Sequence, residues 1–169
     1  MDNIVDRLRP SLRILVGAPG SGKSTWRSNI LNAPENLPVI ISTDDYIEQK
    51  AKEFRSSYSE VFKTFYNDAE IHMNNMFNDA IKNNLNIIVD RTNMTKKSRR
   101  RFLSRVSSVY YKQAVVFDRN LEYLTNINQL RVSTGRDIPL KAIEDMVKYY
   151  QEPSYEEGFD SIITISIQE

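Results

Sequence analysis

Short apolar runs recur along the chain and alternate with longer stretches in which apolar residues return every three or four positions. Apolar runs of strand length that are rich in Val and Ile are typical of buried β-strands. They predict five strands, over residues 12–16, 39–42, 86–89, 114–117 and 162–167.

The clearest helical pattern covers residues 62–81, where the apolar positions form a single stripe. The only histidine, His72, lies beside this stripe and is interpreted as an ordinary helix residue. Further helices are predicted over residues 24–31, near residues 96–105 and over residues 120–134. Strands that alternate with helices form βαβ units with right-handed crossovers. The pattern therefore predicts an α/β fold, with a mostly parallel sheet, helices on both faces, and ligands at the carboxyl ends of the strands.

The composition narrows the classes of protein that fit this pattern. A length of 169 residues is typical of one domain, which we place over residues 1–169. The absence of cysteine and the single histidine argue against a disulfide framework, a thiolate nucleophile and a histidine-rich metal site. No apolar run approaches the roughly 20 residues that cross a bilayer, and no signal peptide is recognised. We therefore expect a cytoplasmic protein without a membrane partner; the oligomeric state is left open.

A glycine-rich segment, GAPGSGKS, follows the first predicted strand and precedes a predicted helix. It fits the pattern G-x-x-x-x-G-K-[ST] in the context that this pattern requires. Such a loop wraps backbone N–H groups around phosphate oxygens, while Lys23 provides a cation for the β- and γ-phosphates and Ser24 a hydroxyl for Mg²⁺. The segment predicts binding of ATP and Mg²⁺ by Gly17, Ala18, Pro19, Gly20, Ser21, Gly22, Lys23, Ser24 and Thr25.

Carboxylates follow the next two predicted strands at the edge of the sheet where the loop is expected. Asp44 and Asp45 come after the second strand, and Asp44 is the candidate general base for an acceptor hydroxyl, with Asp45 as its structural partner on the acceptor side. Either aspartate could instead cap the following helix. Asp90 ends the third strand and is a candidate for orienting the acceptor or holding a magnesium-bound water. Thr92 and Asn93 add neutral groups suited to a sugar or a phosphate.

Two basic segments complete the candidate site. Arg131 and Arg136 flank a Ser-Thr-Gly break, so that a hinged, arginine-bearing lid could bring guanidinium groups onto the triphosphate. Residues 96–105 carry six cations and no acid although the formal net charge of the chain is only +1. Lys97, Arg101 and Arg105 are expected on one ridge, opposite an apolar face, either as a contact surface for a phosphate backbone or as a solvated helix face.

These segments resemble the kinase domain of 5′-polynucleotide kinases, both the bacteriophage end-healing enzyme and its DNA-repair relatives. The resemblance covers most of the chain. It includes the loop with its trailing Thr25 and Trp26, the segments 43–46 and 90–93, the lid over 128–139, and Glu152-Pro153 with the later Glu157-Gly158-Phe159. The resemblance implies a P-loop kinase fold in which Asp44 is the general base, Asp90 organises the acceptor, and Arg131 and Arg136 close over the transferring phosphoryl group.

The predicted activity is transfer of the γ-phosphoryl group of ATP to a hydroxyl, with the 5′-hydroxyl of DNA or RNA as the first choice of acceptor. Ile47 departs from the resemblance, because the phage enzyme has at this position an arginine that contacts the acceptor phosphate. A small molecule, a nucleotide or a hydroxymethylated base is therefore an alternative acceptor. A nucleotide-dependent switch or binding module without an acceptor is the alternative from another class.

Overall fold

The computed structural model describes residues 9–32, 36–132 and 138–166. Its five strands are β1 (Ser11–Val16), β2 (Val39–Ile41), β3 (Ile87–Val89), β4 (Tyr111–Val116) and β5 (Ser161–Thr164). They form one sheet in the order β2-β3-β1-β4-β5, and every neighbouring pair is parallel. The predicted α/β fold with a parallel sheet is confirmed.

The ends of the outer strands differ from the apolar runs. β4 begins three residues before the predicted start, because Tyr111 to Gln113 pair with Ser11 to Arg13 of β1 although their side chains are only half-buried. β5 ends at Thr164, before the predicted end, although the backbone N–H of Ile165 still donates to Val116 O at 2.7 Å. Backbone pairing, and not side-chain burial, decides where β4 begins.

Six α-helices lie between these strands in the described residues. They are α1 (Lys23–Leu31), α2 (Thr43–Phe54), α3 (Tyr58–Lys82), α4 (Lys96–Leu103), α5 (Leu121–Arg131) and α6 (Leu140–Lys148), with a 3₁₀ helix at Tyr155–Glu157. The helices predicted over 24–31, 62–81 and near 96–105 are confirmed with small shifts at their ends. α5 ends at Arg131, and residues 133 and 134, which the prediction also included, lie outside the described residues.

The longest helix, α3, begins with a capping box in which Ser57 and Glu60 satisfy each other's backbone N–H groups. Its apolar stripe is buried through Val61, Ala69, Met73, Phe77 and Ala80. His72 is exposed, and its ring lies 5.0 Å from the ring of Tyr46. The interpretation of His72 as an ordinary helix residue agrees with this position.

Helices cover both faces of the sheet because alternate residues of β1 point to opposite sides. Leu12, Ile14 and Val16 pack in the larger core, with Met73 and Phe77 of α3. Leu15 packs on the other face with Phe117, against which Trp26 of α1 makes an edge-to-face contact. Among the described residues, no helix is long and apolar enough to cross a membrane.

The connections after β1, β2 and β3 meet at one edge of the sheet. The backbone N–H of Asp90 donates to Ile41 O at 2.9 Å, which joins the ends of β2 and β3. The N–H of Gly17 donates to Thr92 O at 2.9 Å, which joins the segment after β1 to the segment after β3. The three segments that carry the predicted chemistry are therefore held together by backbone hydrogen bonds.

Candidate active site

The glycine-rich loop turns between β1 and α1 in a conformation that requires its glycines. Gly20 and Gly22 have φ angles of 82° and 102°, in the left-handed region that glycine adopts without a steric penalty. At Gly17 an added Cβ would lie only 2.5 Å from the Ser21 hydroxyl oxygen. Gly22 is the N-cap of α1, so the loop ends in the unpaired N–H groups of a helix N-terminus. This geometry fits the phosphates of a nucleoside triphosphate.

Lys23 lies inside the loop and is almost fully buried, with 9% of its surface exposed. Its ammonium group donates to the carbonyl oxygens of Gly17 and Ala18, both at 2.8 Å. Burial lowers the pKa of Lys23 to about 8, although the charges of Asp90 and Asp44 oppose the shift. Ser24 and Thr25 are exposed in the first turn of α1, where the Ser24 hydroxyl is accessible to a metal ion bound with the phosphates.

Asp44 and Asp45 lie in the first turn of α2, directly after β2. Ser42 is the N-cap of this helix, since its hydroxyl oxygen accepts from the Asp45 N–H at 3.2 Å. The alternative that either aspartate caps the helix is therefore wrong. The Tyr58 hydroxyl donates to Oδ1 of Asp44 at 2.7 Å. Burial and the charge of Asp44 raise the pKa of Tyr58, so Tyr58 stays a hydrogen-bond donor.

Arg27 of α1 links two of the predicted carboxylates. Its Nη1 lies 3.0 Å from each Asp45 oxygen and 3.0 Å from Oδ2 of Asp90. The Asp90 side chain is 9% exposed, and burial raises its pKa in spite of the charges of Arg27 and Lys23. The sequence interpretation missed Arg27; its position one helical turn after Lys23 was the available signal.

Thr92 and Asn93, the predicted neutral groups of the acceptor site, lie beside the loop. Asn93 has a φ angle of 47° and is 2% exposed, and its side-chain amide donates to Leu15 O at 2.8 Å. Thr92 accepts the Gly17 N–H through its carbonyl oxygen. Thr92 therefore contacts the first glycine of the phosphate loop, and Asn93 contacts β1 just before the loop; their contact with an acceptor stays a prediction.

The arginines around the loop come from α5 and from the segment after β4. A Cβ added at Gly20 would lie 3.9 Å from Nη1 of Arg131, so the predicted lid residue reaches the loop. Arg136 lies outside the described residues. A second arginine, Arg119, was missed by the sequence interpretation. Its Nη1 donates to Ile165 O at 2.7 Å, and its Nη2 would lie 3.9 Å from a Cβ on Gly22.

A basic cavity lies next to these groups, at the beginning of α4. It has a volume of about 430 Å³, and its lining includes Arg91, Thr92, Asn93, Lys97, Arg101 and Phe102. Glu70 of α3 forms ion pairs with both Arg91 and Arg101. Burial works to raise the pKa of Glu70, but hydrogen bonds and charges from Arg101 and Arg91 outweigh it, so the pKa lies below its usual value.

The predicted ridge of Lys97, Arg101 and Arg105 requires a correction. α4 ends at Leu103, so Arg105 lies beyond the helix. Its guanidinium contacts α3: it donates hydrogen bonds to Asn74 Oδ1 and Asn78 Oδ1. It also lies 4.6 Å from the centre of the Phe77 ring. Arg101 also turns toward α3, through Glu70. Only Lys97 of the three is exposed, because α3 packs along the side of α4 that the sequence pattern assigned to solvent.

A parallel sheet with a phosphate loop after its central strand, and with carboxylates after β2 and β3, defines a P-loop protein of the α/β kinase class. The AAA domain family (AAA_33) matches residues 12–153, and the chain belongs to this family. This match agrees with the resemblance that the motifs indicated.

Individual proteins and solved structures are also similar to this chain. The chain is 27% identical to L-seryl-tRNA(Sec) kinase of Methanococcus maripaludis over 154 residues, which are 88% of this chain and 56% of that enzyme. A chain of the Pnkp1/Rnl/Hen1 RNA repair complex is 30% identical with a TM-score of 0.61, covering 90% of this chain and 47% of that one. Shikimate kinase from Acinetobacter baumannii shares the fold, with a TM-score of 0.54 at 18% identity over 91% of this chain and 83% of that one.

The chain spans about half the length of the seryl-tRNA kinase and of the matched RNA repair chain. The comparisons support a kinase-type phosphotransferase and include relatives with different acceptors. The acceptor must therefore be inferred from the site itself.

Proposed function

We propose that this chain transfers the γ-phosphoryl group of ATP to a hydroxyl, and that the acceptor is the 5′-hydroxyl of a polynucleotide. The observation that carries the first part is the position of Asp44 at the phosphate loop's edge of the sheet. Asp44 lies in the first turn of α2, after β2, and backbone hydrogen bonds join the end of β2 to the end of β3 and the segment after β3 to the loop.

In the proposed reaction, the loop amides and Lys23 hold the β- and γ-phosphates. Ser24 would hold a Mg²⁺ ion, which would supply positive charge to the phosphate oxygens. The acceptor oxygen forms a bond to the γ-phosphorus while the bond between that phosphorus and the β–γ bridging oxygen breaks. Asp44 takes the proton of the acceptor hydroxyl, and Tyr58 fixes the orientation of the carboxylate. Arg131 stabilises charge on the transferring group, and the resemblance implies the same role for Arg136.

Two comparisons and one structural feature support a polynucleotide acceptor. One relative is named for a tRNA substrate, and another belongs to an RNA repair complex. The basic cavity with Arg91, Lys97 and Arg101 adjoins the segment that carries Asp90, so cations for a phosphate backbone lie next to the carboxylates.

A small-molecule acceptor is the second candidate, and Ile47 favours it. Ile47 is fully buried with Val61 and Ala69. α2 therefore presents no cation at the position where the phage enzyme has an arginine for the acceptor phosphate.

An acceptor screen tests the proposal. Labelled ATP is incubated with 5′-hydroxyl DNA and RNA oligonucleotides, with seryl-tRNA, and with nucleosides, shikimate and gluconate. We expect label on the 5′ ends of the oligonucleotides. Label on the small molecules alone would replace the polynucleotide by the second candidate, and ATP binding without any transfer would indicate a switch or binding module.

The assignment of the base is tested with Asp44→Asn. We expect a loss of at least about 100-fold in kcat, because general base catalysis contributes roughly this factor, with ATP affinity retained. Asp79→Asn, an exposed aspartate near the end of α3, is the matched control and should behave as wild type. An Asp44→Asn variant with normal kcat would refute the assignment.

A further inference from the structure

Three aromatic side chains form a row along the first half of α3. Tyr58, Phe62 and Tyr66 are spaced by four residues, which places them on one face of a helix. The ring centres of Tyr58 and Phe62 are 5.9 Å apart, and those of Phe62 and Tyr66 are 5.0 Å apart. Phe62 and Tyr66 are each 37% exposed. The row is therefore continuous, and it is open to solvent at Phe62 and Tyr66.

Phe62 and Tyr66 lie outside the apolar core, whereas Tyr58 packs against it. Val61 and Ala69, the buried residues of this part of α3, belong to the neighbouring ridge of the helix. Among the partly buried residues packed against that part of the core is Phe65, whereas Phe62 and Tyr66 are not in the core clusters. Adjacent exposed aromatic rings on an otherwise polar surface are typical of a binding surface.

The two ends of the row are chemically distinct. At one end, the Tyr58 hydroxyl donates to Asp44, the candidate base. At the other end, the next residue at the same spacing is Glu70, which pairs with Arg91 and Arg101 at the basic cavity. One face of α3 therefore runs from the candidate base, across three rings, to a group of cations.

At the Glu70 end of the row, cationic side chains outnumber the carboxylates that pair with them. Arg91, Lys97 and Arg101 line the cavity, and within the described residues Glu70 is the one carboxylate that forms ion pairs with them. The Arg101 side chain keeps 36% of its surface exposed despite this pair. The cavity thus keeps positive charge for an anionic ligand.

We propose that Tyr58, Phe62 and Tyr66, together with the basic cavity, form an acceptor track for a single-stranded polynucleotide whose 5′ end lies at Asp44. Nucleobases following the first nucleotide stack on Phe62 and Tyr66, and a phosphate downstream binds among Arg91, Lys97 and Arg101. Aromatic rings with cations alongside are the usual means of binding single strands without sequence preference. The track rests on the proposed function and specifies the form of its substrate.

The exposure of the rings favours a single strand over a duplex. Their centres are 5.9 and 5.0 Å apart, so the rings contact each other and a base can stack only on their solvent-exposed faces. A duplex hides the faces of its bases, whereas an extended strand exposes them for stacking.

The stacking contacts are tested with the double variant Phe62→Ala/Tyr66→Ala and six-nucleotide 5′-hydroxyl DNA and RNA acceptors. We expect KM and Kd for the oligonucleotide to rise at least about tenfold, because stacking on an aromatic ring contributes substantially to each bound base. Phe62→Tyr/Tyr66→Phe keeps the rings and should restore binding. Tyr149→Ala removes an exposed tyrosine outside the track and is the matched control.

The substrate provides an independent test of the same contacts. Abasic sites at the second and third nucleotides should weaken wild-type binding to the level of the double variant, and should not weaken the variant further. ATP binding and thermal unfolding of each variant show that its fold is intact. If abasic sites weaken both proteins equally, the rings do not contact the bases and the stacking part of the track is refuted.

The phosphate contact is tested through the salt dependence of oligonucleotide binding. Lys97→Ala should reduce the slope of log K against log salt concentration by about 0.7, the expected effect of losing one phosphate contact to a single strand. Lys82→Ala removes an exposed lysine at the far end of α3 and should leave the slope unchanged. Equal slopes for Lys97→Ala and wild type would remove the cavity from the track.

The length of the acceptor separates failure of the track from failure of the proposed function. If oligonucleotides are phosphorylated but a dinucleotide and a hexanucleotide have equal KM in wild type, the function stands and the track is wrong. Tighter binding of a duplex than of a single strand also refutes the track. If no oligonucleotide is phosphorylated while a small alcohol is, the proposed function fails. DNA and RNA arms of each assay show which sugar the track accepts.

Discussion

At the scale of single residues, Arg27 and Tyr58 organise the carboxylates of the site. Arg27 contacts both Asp45 and Asp90, and Tyr58 donates to Asp44. Within the described residues Arg27 pairs with Asp45 and Asp90 and not with Asp44, which suits a carboxylate that must accept a proton. Asp45 and Asp90, in contrast, are held by Arg27 and help to fix the geometry of the site.

Lys23 leads to a prediction about pH. Burial lowers its pKa to about 8, below the usual value near 10.4, so the loop of the free protein loses this charge as the pH rises through about 8. Bound phosphates favour the charged form. Above that pH, ATP binding must therefore be accompanied by uptake of a proton. We expect the Kd for ATP to increase by up to about tenfold per pH unit above pH 8, and to change little between pH 6.5 and 7.5.

Isothermal titration calorimetry in buffers with different ionisation enthalpies measures both the affinity and the proton uptake. Lys23→Met should bind ATP more weakly and should show no proton uptake in this range. A wild-type affinity that does not change between pH 8 and 9.5 would contradict the shifted pKa.

At the scale of elements, α4 is attached to the segment near the end of the described chain by one buried arginine. Arg99 is fully buried, and its guanidinium forms two hydrogen bonds with Glu157 of the 3₁₀ helix, at 2.8 and 2.7 Å. It also donates to Asn93 O at 3.1 Å. The segment with Glu157, Gly158 and Phe159, which the resemblance identified, is thus connected through α4 to the loop after β3.

Breaking this ion pair should destabilise the fold. Glu157→Gln leaves the Arg99 charge buried without its carboxylate, so we expect a loss of about 3–5 kcal/mol in the free energy of unfolding. Denaturation by urea, with an unchanged m value, measures the effect. Glu156→Gln changes an exposed neighbour and should cost less than about 0.5 kcal/mol. Equal stability of the two variants would show that the pair contributes little.

At the scale of the whole molecule, the sheet order places β1 in the centre, with β2 and β3 on one side and β4 and β5 on the other. The chain therefore changes direction across the sheet around β1, and ligands of open α/β sheets bind at such a point. The phosphate loop follows β1, the aspartates follow β2 and β3, and Arg119 follows β4. The topology gathers groups from four connections around one site.

A site that ties four connections together should stabilise the whole fold when it is occupied. At an ATP concentration of about 100 times Kd with Mg²⁺, the expected stabilisation is about 2.7 kcal/mol. For a protein of 169 residues, this corresponds to an increase in Tm of about 5–11 °C. Differential scanning fluorimetry measures the shift.

The same measurement separates binding from chemistry. Asp44→Asn should keep the shift in Tm, because Asp44 is assigned to the acceptor side. Lys23→Met should lose most of it at the same ATP concentration. A wild-type protein without any shift at saturating ATP and Mg²⁺ would contradict the assignment of the phosphate loop.

The sequence by itself determined the features that depend on neighbouring residues. The phosphate loop could be recognised because its function lies in the backbone of eight consecutive positions, 17–24, between a strand and a helix. The parallel α/β fold could be predicted because burial on both sheet faces leaves continuous apolar runs between helical patterns. Asp44 and Asp90 were identified as candidates because each directly follows such a run.

Only the tertiary structure decided which distant side chains meet. Arg27 and Asp90 are 63 positions apart, and Arg99 and Glu157 are 58 positions apart; no local period connects them. The expected ridge of α4 was partly wrong for the same reason, since a helical pattern shows which residues share a face but not which element packs on it. The row from Asp44 through the rings of α3 to the basic cavity likewise exists only because α2, α3 and α4 pack together.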